Sequence, residues 1–212
     1  MIPIRNKKKT LELTVEEMRN FAFAYLEKYA PSKQQLKTYL LKKYLKSSVS
    51  NVKKQDVTNL IDIVLSDLEN NKFINDRFYS ESKAKSMIQK GSSINKIRSY
   101  LIGKGIDDRF IKETVSKIQD NNSDQDFFSA IKLCKKKRIG PARTEDNRSL
   151  FYKKDISLLA RNGFDFETSK KVMEIKKDDF IKIIKLLWFF VFFLLNKFVD
   201  FISNKIFYKN KN

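Results

Sequence analysis

The stretch "LARNGFDFETSKKVM", Leu159–Met173, sets a glycine between an apolar helical stripe and an aspartate. Leu158 and Leu159 close one helix, and Gly163 stands where a helix C-terminus calls for a left-handed residue. Phe164 is expected to turn into the core, and Asp165 to cap the next helix by accepting from its free amides. The same order of residues occurs once before. In "LIGKGIDDRFIKETV", Leu101–Val115, the residues Leu101, Gly105, Ile106 and Asp107 lie at a constant offset of 58 from Leu159, Gly163, Phe164 and Asp165. A joint of this kind, used twice, predicts an all-α protein built from tandem units.

Helical periodicity extends the units outward. Met18, Phe21, Ala22, Tyr25, Leu26 and Tyr29 form one buried stripe of a first helix over 16–29, which Pro31 stops. Ser32 and Gln35 read as a capping box for a second helix carrying Leu36, Tyr39, Leu40 and Tyr44. A third helix carries Leu60, Ile61, Val64, Leu65 and Leu68. The pattern restarts at Asn75, with breaks at Gly91 and Gly105 and caps at Ser93 and Asp107. Ser123 with Asp126 reads as another capping box, opening "FFSAIKLCKKK", and "RIGPARTEDNRS", 138–149, as a loop. The expected organisation is a basic N-terminal arm over 1–15, repeat 1 over 16–73, repeat 2 over 74–121, repeat 3 over 122–176, and a hydrophobic, basic tail over 177–212. Each repeat holds three helices, and the tail adds a C-terminal hydrophobic helix.

Composition narrows the chemistry. Five glycines and three prolines in 212 residues suit helices rather than a sandwich or barrel. The absence of histidine removes His-dependent base catalysis, Ser-His-Asp triads and His-ligated metals together. One cysteine, Cys134, allows no internal disulfide and no Cys-based zinc site, and it reads as a small buried thiol. "GKGIDD" has neither the spacing nor the preceding strand of a phosphate loop. No enzyme activity and no cofactor are expected. A net charge of +19 points to a polyanionic or acid-coated partner. Lysines outnumber arginines by 35 to 9, however, a bias that AT-rich codon usage produces unaided, so charge alone does not name the partner.

Three passages carry a resemblance to a known family. "FAFAYLEKYAPSKQQLKTYLLKKY" (21–44), "LENNKFINDRF" (68–78) and "KKKRIGPAR" (135–143), followed by "LARNGFDFETSKKVM", resemble in order and spacing the successive repeats of the RecX family, regulators of the RecA recombinase. The resemblance covers roughly residues 16 to 175. It implies a cytoplasmic, monomeric protein whose three repeats form a curved array along a RecA-type filament on DNA. There it would damp ATP hydrolysis and strand exchange, which places its work in the control of recombination, DNA repair and the SOS response. DNA contact would be direct or through the filament. The candidate contact residues are Lys42, Lys43, Lys96, Arg98, Lys104, Arg109, Lys135, Lys136, Lys137, Arg138, Arg143 and Arg161, which on amphipathic helices can equally be solvated faces. Arg138 and Arg143 stand out as scarce arginines flanking a stiff Gly-Pro turn.

The resemblance ends near Lys176. "FIKIIKLLWFFVFFLLNKFVDFI", 180–202, contains a ten-residue uncharged run, Leu186–Leu195. As a helix that run spans roughly 15 Å, about half of a bilayer core. The longer stretch, 180–202, reaches about 34 Å, with lysines and Asp200 near its ends where they can snorkel. A short anchor, an interfacial helix and a helix docked on the protein all fit. Membrane contact through 180–202 is the slightly favoured expectation, and it defines the alternative function: a basic, membrane-associated DNA-binding or scaffold protein on the same repeats.

Overall fold

Apolar stripes at helical spacing bury themselves in two separate clusters, one in each of two compact units. The computed structural model describes residues 11–46, 53–187 and 189. Among these there is no strand. The α-helices are α1 (Val15–Leu26), α2 (Lys33–Lys46), α3 (Lys54–Asn70), α4 (Asp76–Gln89), α5 (Ile94–Gly103), α6 (Asp108–Asn121), α7 (Gln125–Lys137), α8 (Glu145–Arg161) and α9 (Phe166–Met173), with a short 3-10 turn at Gly140–Ala142. A further helix, α10, covers 177–187.

Unit 1 comprises Met1–Ser86 and Ile97–Asn121. One buried cluster in it is Met18 and Ala22 of α1, Leu36, Leu40 and Tyr44 of α2, and Val57, Ile61, Val64, Leu65 and Leu68 of α3, and Ile97 and Leu101 of α5 with Ile111 and Val115 of α6 are buried as well. These are the stripes the periodicity picks out, and full burial of each large aliphatic side chain stabilises by about 1.5–3 kcal/mol. The capping box forms as read: Gln35 N–H donates to Ser32 Oγ at 3.2 Å, and Ser32 N–H donates to Gln35 Oε1 at 3.1 Å. Helix α1 stops earlier than expected. It ends at Leu26, and Tyr29 is 58% exposed instead of lying on the stripe. Pro31 disfavours helical backbone in the residue before it, so the chain leaves the helix ahead of the proline.

Unit 2 comprises Met87–Lys96 and Asn122–Asn212. Ala130, Ile131, Leu133 and Cys134 of α7 pack with Ile139, Leu159, Phe164, Val172, Met173 and Phe180. Two local expectations change here. Ser123 and Asp126 make no capping box; Asp126 instead accepts from the Ile94 N–H at 2.8 Å, and α7 starts at Gln125 without a side-chain cap. The stretch 138–149 is not all loop, because Glu145 and Asp146 open α8 and complement its positive end.

The glycine–aspartate joint is realised twice with the same contacts. Gly105 has φ +69 and Gly163 φ +86, each just beyond a helix end. In unit 1 the Ser32 hydroxyl donates to the Lys104 carbonyl at 2.8 Å, and the Lys33 N–H donates to the Asp76 carboxylate at 2.8 Å. In unit 2 the Ser93 hydroxyl donates to the Asn162 carbonyl at 2.7 Å, and the Ile94 N–H meets Asp126 in the same way. Each glycine therefore admits a neighbouring helix start: a Cβ on Gly105 would lie 2.5 Å from Gln34 Cβ, and one on Gly163 would lie 2.6 Å from Ser93 Oγ. Burial pushes the carboxyls of Asp76 and Asp126 up, the Lys33 and Ile94 amides opposing it.

The start of the tail is docked. Phe180 is buried, and Ile183, Ile184 and Leu187 pack against the unit 2 cluster. The groove that receives them was not legible in the sequence. Among the described residues no helix is long and apolar enough to cross a membrane. The rest of the expected helix over 180–202, apart from 189, lies outside the described residues, as do 1–10 of the basic arm.

Candidate partner-binding surface

In unit 1 the fold brings Lys42 and Lys104 together. Both line a cleft of about 400 Å³ with Gln34 and Tyr39, whose ring stacks on Tyr25 at 4.2 Å. Lys43 is engaged locally, its Nζ 3.8 Å from the centroid of Phe21. Lys104 Nζ lies 5.3 Å from the Tyr100 ring, and the Arg109 guanidinium 4.7 Å from the Phe110 ring. Arg98 is exposed on α5 and makes no hydrogen bond or ion pair among the described residues.

In unit 2 Lys96 donates to Asn162 Oδ1 at 2.7 Å, which sets it at the end of α8 beside Arg161. Lys135, Lys136 and Lys137 are exposed in the last turn of α7, where cations complement the negative helix end. Arg138 follows with φ 54 and points into solvent with them. These form the densest run of exposed cations among the candidates.

Arg143 plays a different part. Its Nε and Nη2 donate to Asp155 Oδ2 and Oδ1 at 2.6 and 2.8 Å, and the Gly140 N–H donates to the same carboxylate at 2.9 Å. Asp155 is 1% exposed. Burial alone would push its carboxyl up, but the Arg143 guanidinium and the Gly140 amide together hold it below the usual carboxylate range. The guanidinium also lies 4.5 Å from the Phe151 ring. This arginine neutralises a buried acid and pins the Gly-Pro turn, so its charge is already matched within the fold.

Sequence reading passed over Asp155 and Arg148. A lone acid four residues before Leu159, on the inner stripe of α8, is the signal for the first: a charge at a core position implies a buried partner. Arg148 Nη2 donates to the Met173 and Ile175 carbonyls at 2.7 and 2.8 Å, closing the end of α9. No local pattern announces that contact. Cys134 is buried as expected, and burial, then the Asp155 charge, pushes its thiol up to about 12, which makes it a poor nucleophile. No cluster of His, Cys, Asp or Glu suited to a metal ion occurs among the described residues.

No protein-family model matches the chain. The regulatory protein RecX of Myxococcus xanthus (strain DK1622) is 30% identical over 176 residues, which cover 80% of this chain and 91% of that protein. The chain belongs to the RecX family. A second RecX regulatory protein, from Agrobacterium fabrum (strain C58), is 25% identical over 162 residues, 76% of this chain and 84% of its own length. Among solved structures, a crystal structure of regulatory protein RecX matches with TM-score 0.55 at 18% identity, over 76% of this chain and 74% of that one. RecX from Lactobacillus salivarius matches with TM-score 0.54 at 18% identity, over 76% of this chain and 94% of that one. The all-α architecture is thus that of RecX structures, and the relatives' names assign them a regulatory role.

Proposed function

We propose that this RecX-family chain binds a RecA-type recombinase filament on DNA and lowers its ATPase and strand-exchange activity. The supporting observation is family membership across four fifths of the chain. The physical requirements agree with it: a binding regulator needs complementary charge and no catalytic group of its own. In this reading the protein is a cytoplasmic monomer made of three helical repeats, with its exposed cations facing filament carboxylates or phosphates. The proposed contacts are Lys42 and Lys104 in unit 1, which line one cleft, and Lys135 to Arg138 in unit 2, which are exposed. Arg143 stabilises the turn between them and α8 instead.

The α7 cluster provides the test. Lys136→Glu with Arg138→Glu should weaken co-sedimentation with a recombinase filament on single-stranded DNA about tenfold or more and lower its salt dependence, with helicity retained. Unchanged binding across salt concentrations would assign these residues to the solvated surface.

A second contact, with membrane, is favoured by one specific observation. Helix α10 leaves Ile181 and Leu186 exposed at 41 and 68% while its other side is docked, and Phe189, just beyond it, is 69% exposed. With Lys182 and Lys185 between them, these side chains suit an anionic lipid interface. Full-length protein should float with anionic liposomes, and Ile181→Ser with Leu186→Ser should reduce the floating fraction severalfold. Equal flotation of the variant would remove the case for tail contact.

A further inference from the structure

Unit 1 carries a second cleft, of about 720 Å³, where the turns that follow α1 and α3 meet α4. Three aromatic side chains border it and face water: Tyr29, Phe73 and Phe78, exposed at 58, 57 and 68%. Single exposed rings are ordinary, but three around one concavity mark an interaction site. Two of the three are held in place. Tyr29 rests on Tyr25 with ring centroids 4.9 Å apart, and Phe73 sits edge-on to Phe23 at 5.1 Å. Phe73 is aimed by Lys72, which takes φ 61 so that the Phe73 and Ile74 amides can both donate to the Leu68 carbonyl. That conformation is uncommon for a residue with a side chain, and here it presents a ring to solvent.

The rim is basic. Lys28 and Lys72 border the cleft without an ion pair among the described residues, and Lys83 Nζ lies 5.7 Å from the Tyr79 ring. Against these three lysines stands Glu27. Helix α1 ends at the cleft, with Leu26 and Glu27 in its lining, so the negative end of its dipole borders it. The three lysines attract anions, while Glu27 and the α1 end limit how much negative charge the cleft accepts, which suits a few carboxylates better than a run of phosphates.

From this we infer that the cleft binds a protein segment with one or two bulky apolar side chains flanked by acidic residues. The rings receive the apolar anchors, and Lys28, Lys72 and Lys83 select the acidic flanks, as in an interface with an apolar centre and a polar rim. This contact is separate from the cations assigned to filament binding.

The full-length protein would be titrated against a short fluorescein-labelled peptide with a Leu-Phe pair between aspartates. Saturable anisotropy is expected, and replacing the Leu-Phe pair with serines should weaken binding about tenfold. Phe78→Ala should weaken the parent peptide about tenfold with the melting temperature unchanged, since that ring is mostly in water. Lys72→Asn, an amide tolerated at positive φ, should weaken it about threefold and flatten its salt dependence. Equal binding of the two peptides, or parent-peptide binding indifferent to Phe78→Ala, would overturn the inference. So would binding of oligo(dT) that Phe78→Ala abolishes, which would make the cleft a nucleic-acid surface. No recombinase is present, so failure here is distinct from failure of the filament reading.

Discussion

Replacing Arg143 with alanine should destabilise unit 2 by about 3 kcal/mol, read as a lower denaturant midpoint at unchanged slope. The cost comes from what is left behind. Asp155 is 1% exposed, and without the guanidinium its charge keeps only the Gly140 amide and the weaker attraction of Lys154. Removal of one partner of a buried pair is far more damaging than removal of an exposed one, whose median worth is about 0–1 kcal/mol. The pair also fixes a pH limb. The Asp155 carboxyl is held below its ordinary value, so its contribution is present above about pH 4 and is lost as pH falls through the lower, folded value. Arg143→Ala should therefore flatten the acid limb of the stability curve as well as lower its plateau. A variant as stable as the parent at neutral pH would show that the pair does not hold the Gly-Pro turn.

Replacing Gly163 with valine should cost about 2–4 kcal/mol, measured by thermal or denaturant unfolding. Two penalties combine. The residue has φ +86, where a β-branched side chain is strained. Its Cβ would also lie 2.6 Å from Ser93 Oγ and 3.2 Å from the Lys96 nitrogen, at the start of α5. That contact would force apart the Ser93–Asn162 hydrogen bond and expose the end of α8. A melting temperature unchanged from the parent would contradict this account of the joint.

What the sequence made legible is local. The Ser32–Gln35 box, the Ser93 and Asp165 caps and the positive φ of Gly105 and Gly163 all rest on residues within a few positions of one another, and the structure has them. Asp126 looked equally local, yet its partner is the Ile94 amide, 32 residues earlier, because a helix start from elsewhere in the chain arrives to use it. Tyr29 failed for a neighbouring reason: periodicity gives the stripe but not the point where Pro31 turns the chain away. The docked face of α10 needed a groove assembled from α7, α8 and α9, which no window of sequence contains.

The candidate binding surface was legible only as a supply of cations. Lysine and arginine counts do not reveal which charges the fold consumes. Arg138 and Arg143 seemed the best placed of them by rarity and position, and Arg143 is matched to a buried acid. Lys42 and Lys104 are the opposite case, since they come from α2 and the end of α5 and line one cleft. The aromatic cleft had no sequence signature either, because Tyr29, Phe73 and Phe78 come from two turns and a helix.

The regulatory account rests on whether the protein slows a working filament. Full-length protein added to a RecA-type recombinase assembled on single-stranded DNA should reduce steady-state ATP hydrolysis in proportion to its concentration, while an unrelated protein of matched positive charge should not. An unchanged hydrolysis rate with protein demonstrably bound, or equal inhibition by the charge-matched protein, would contradict it.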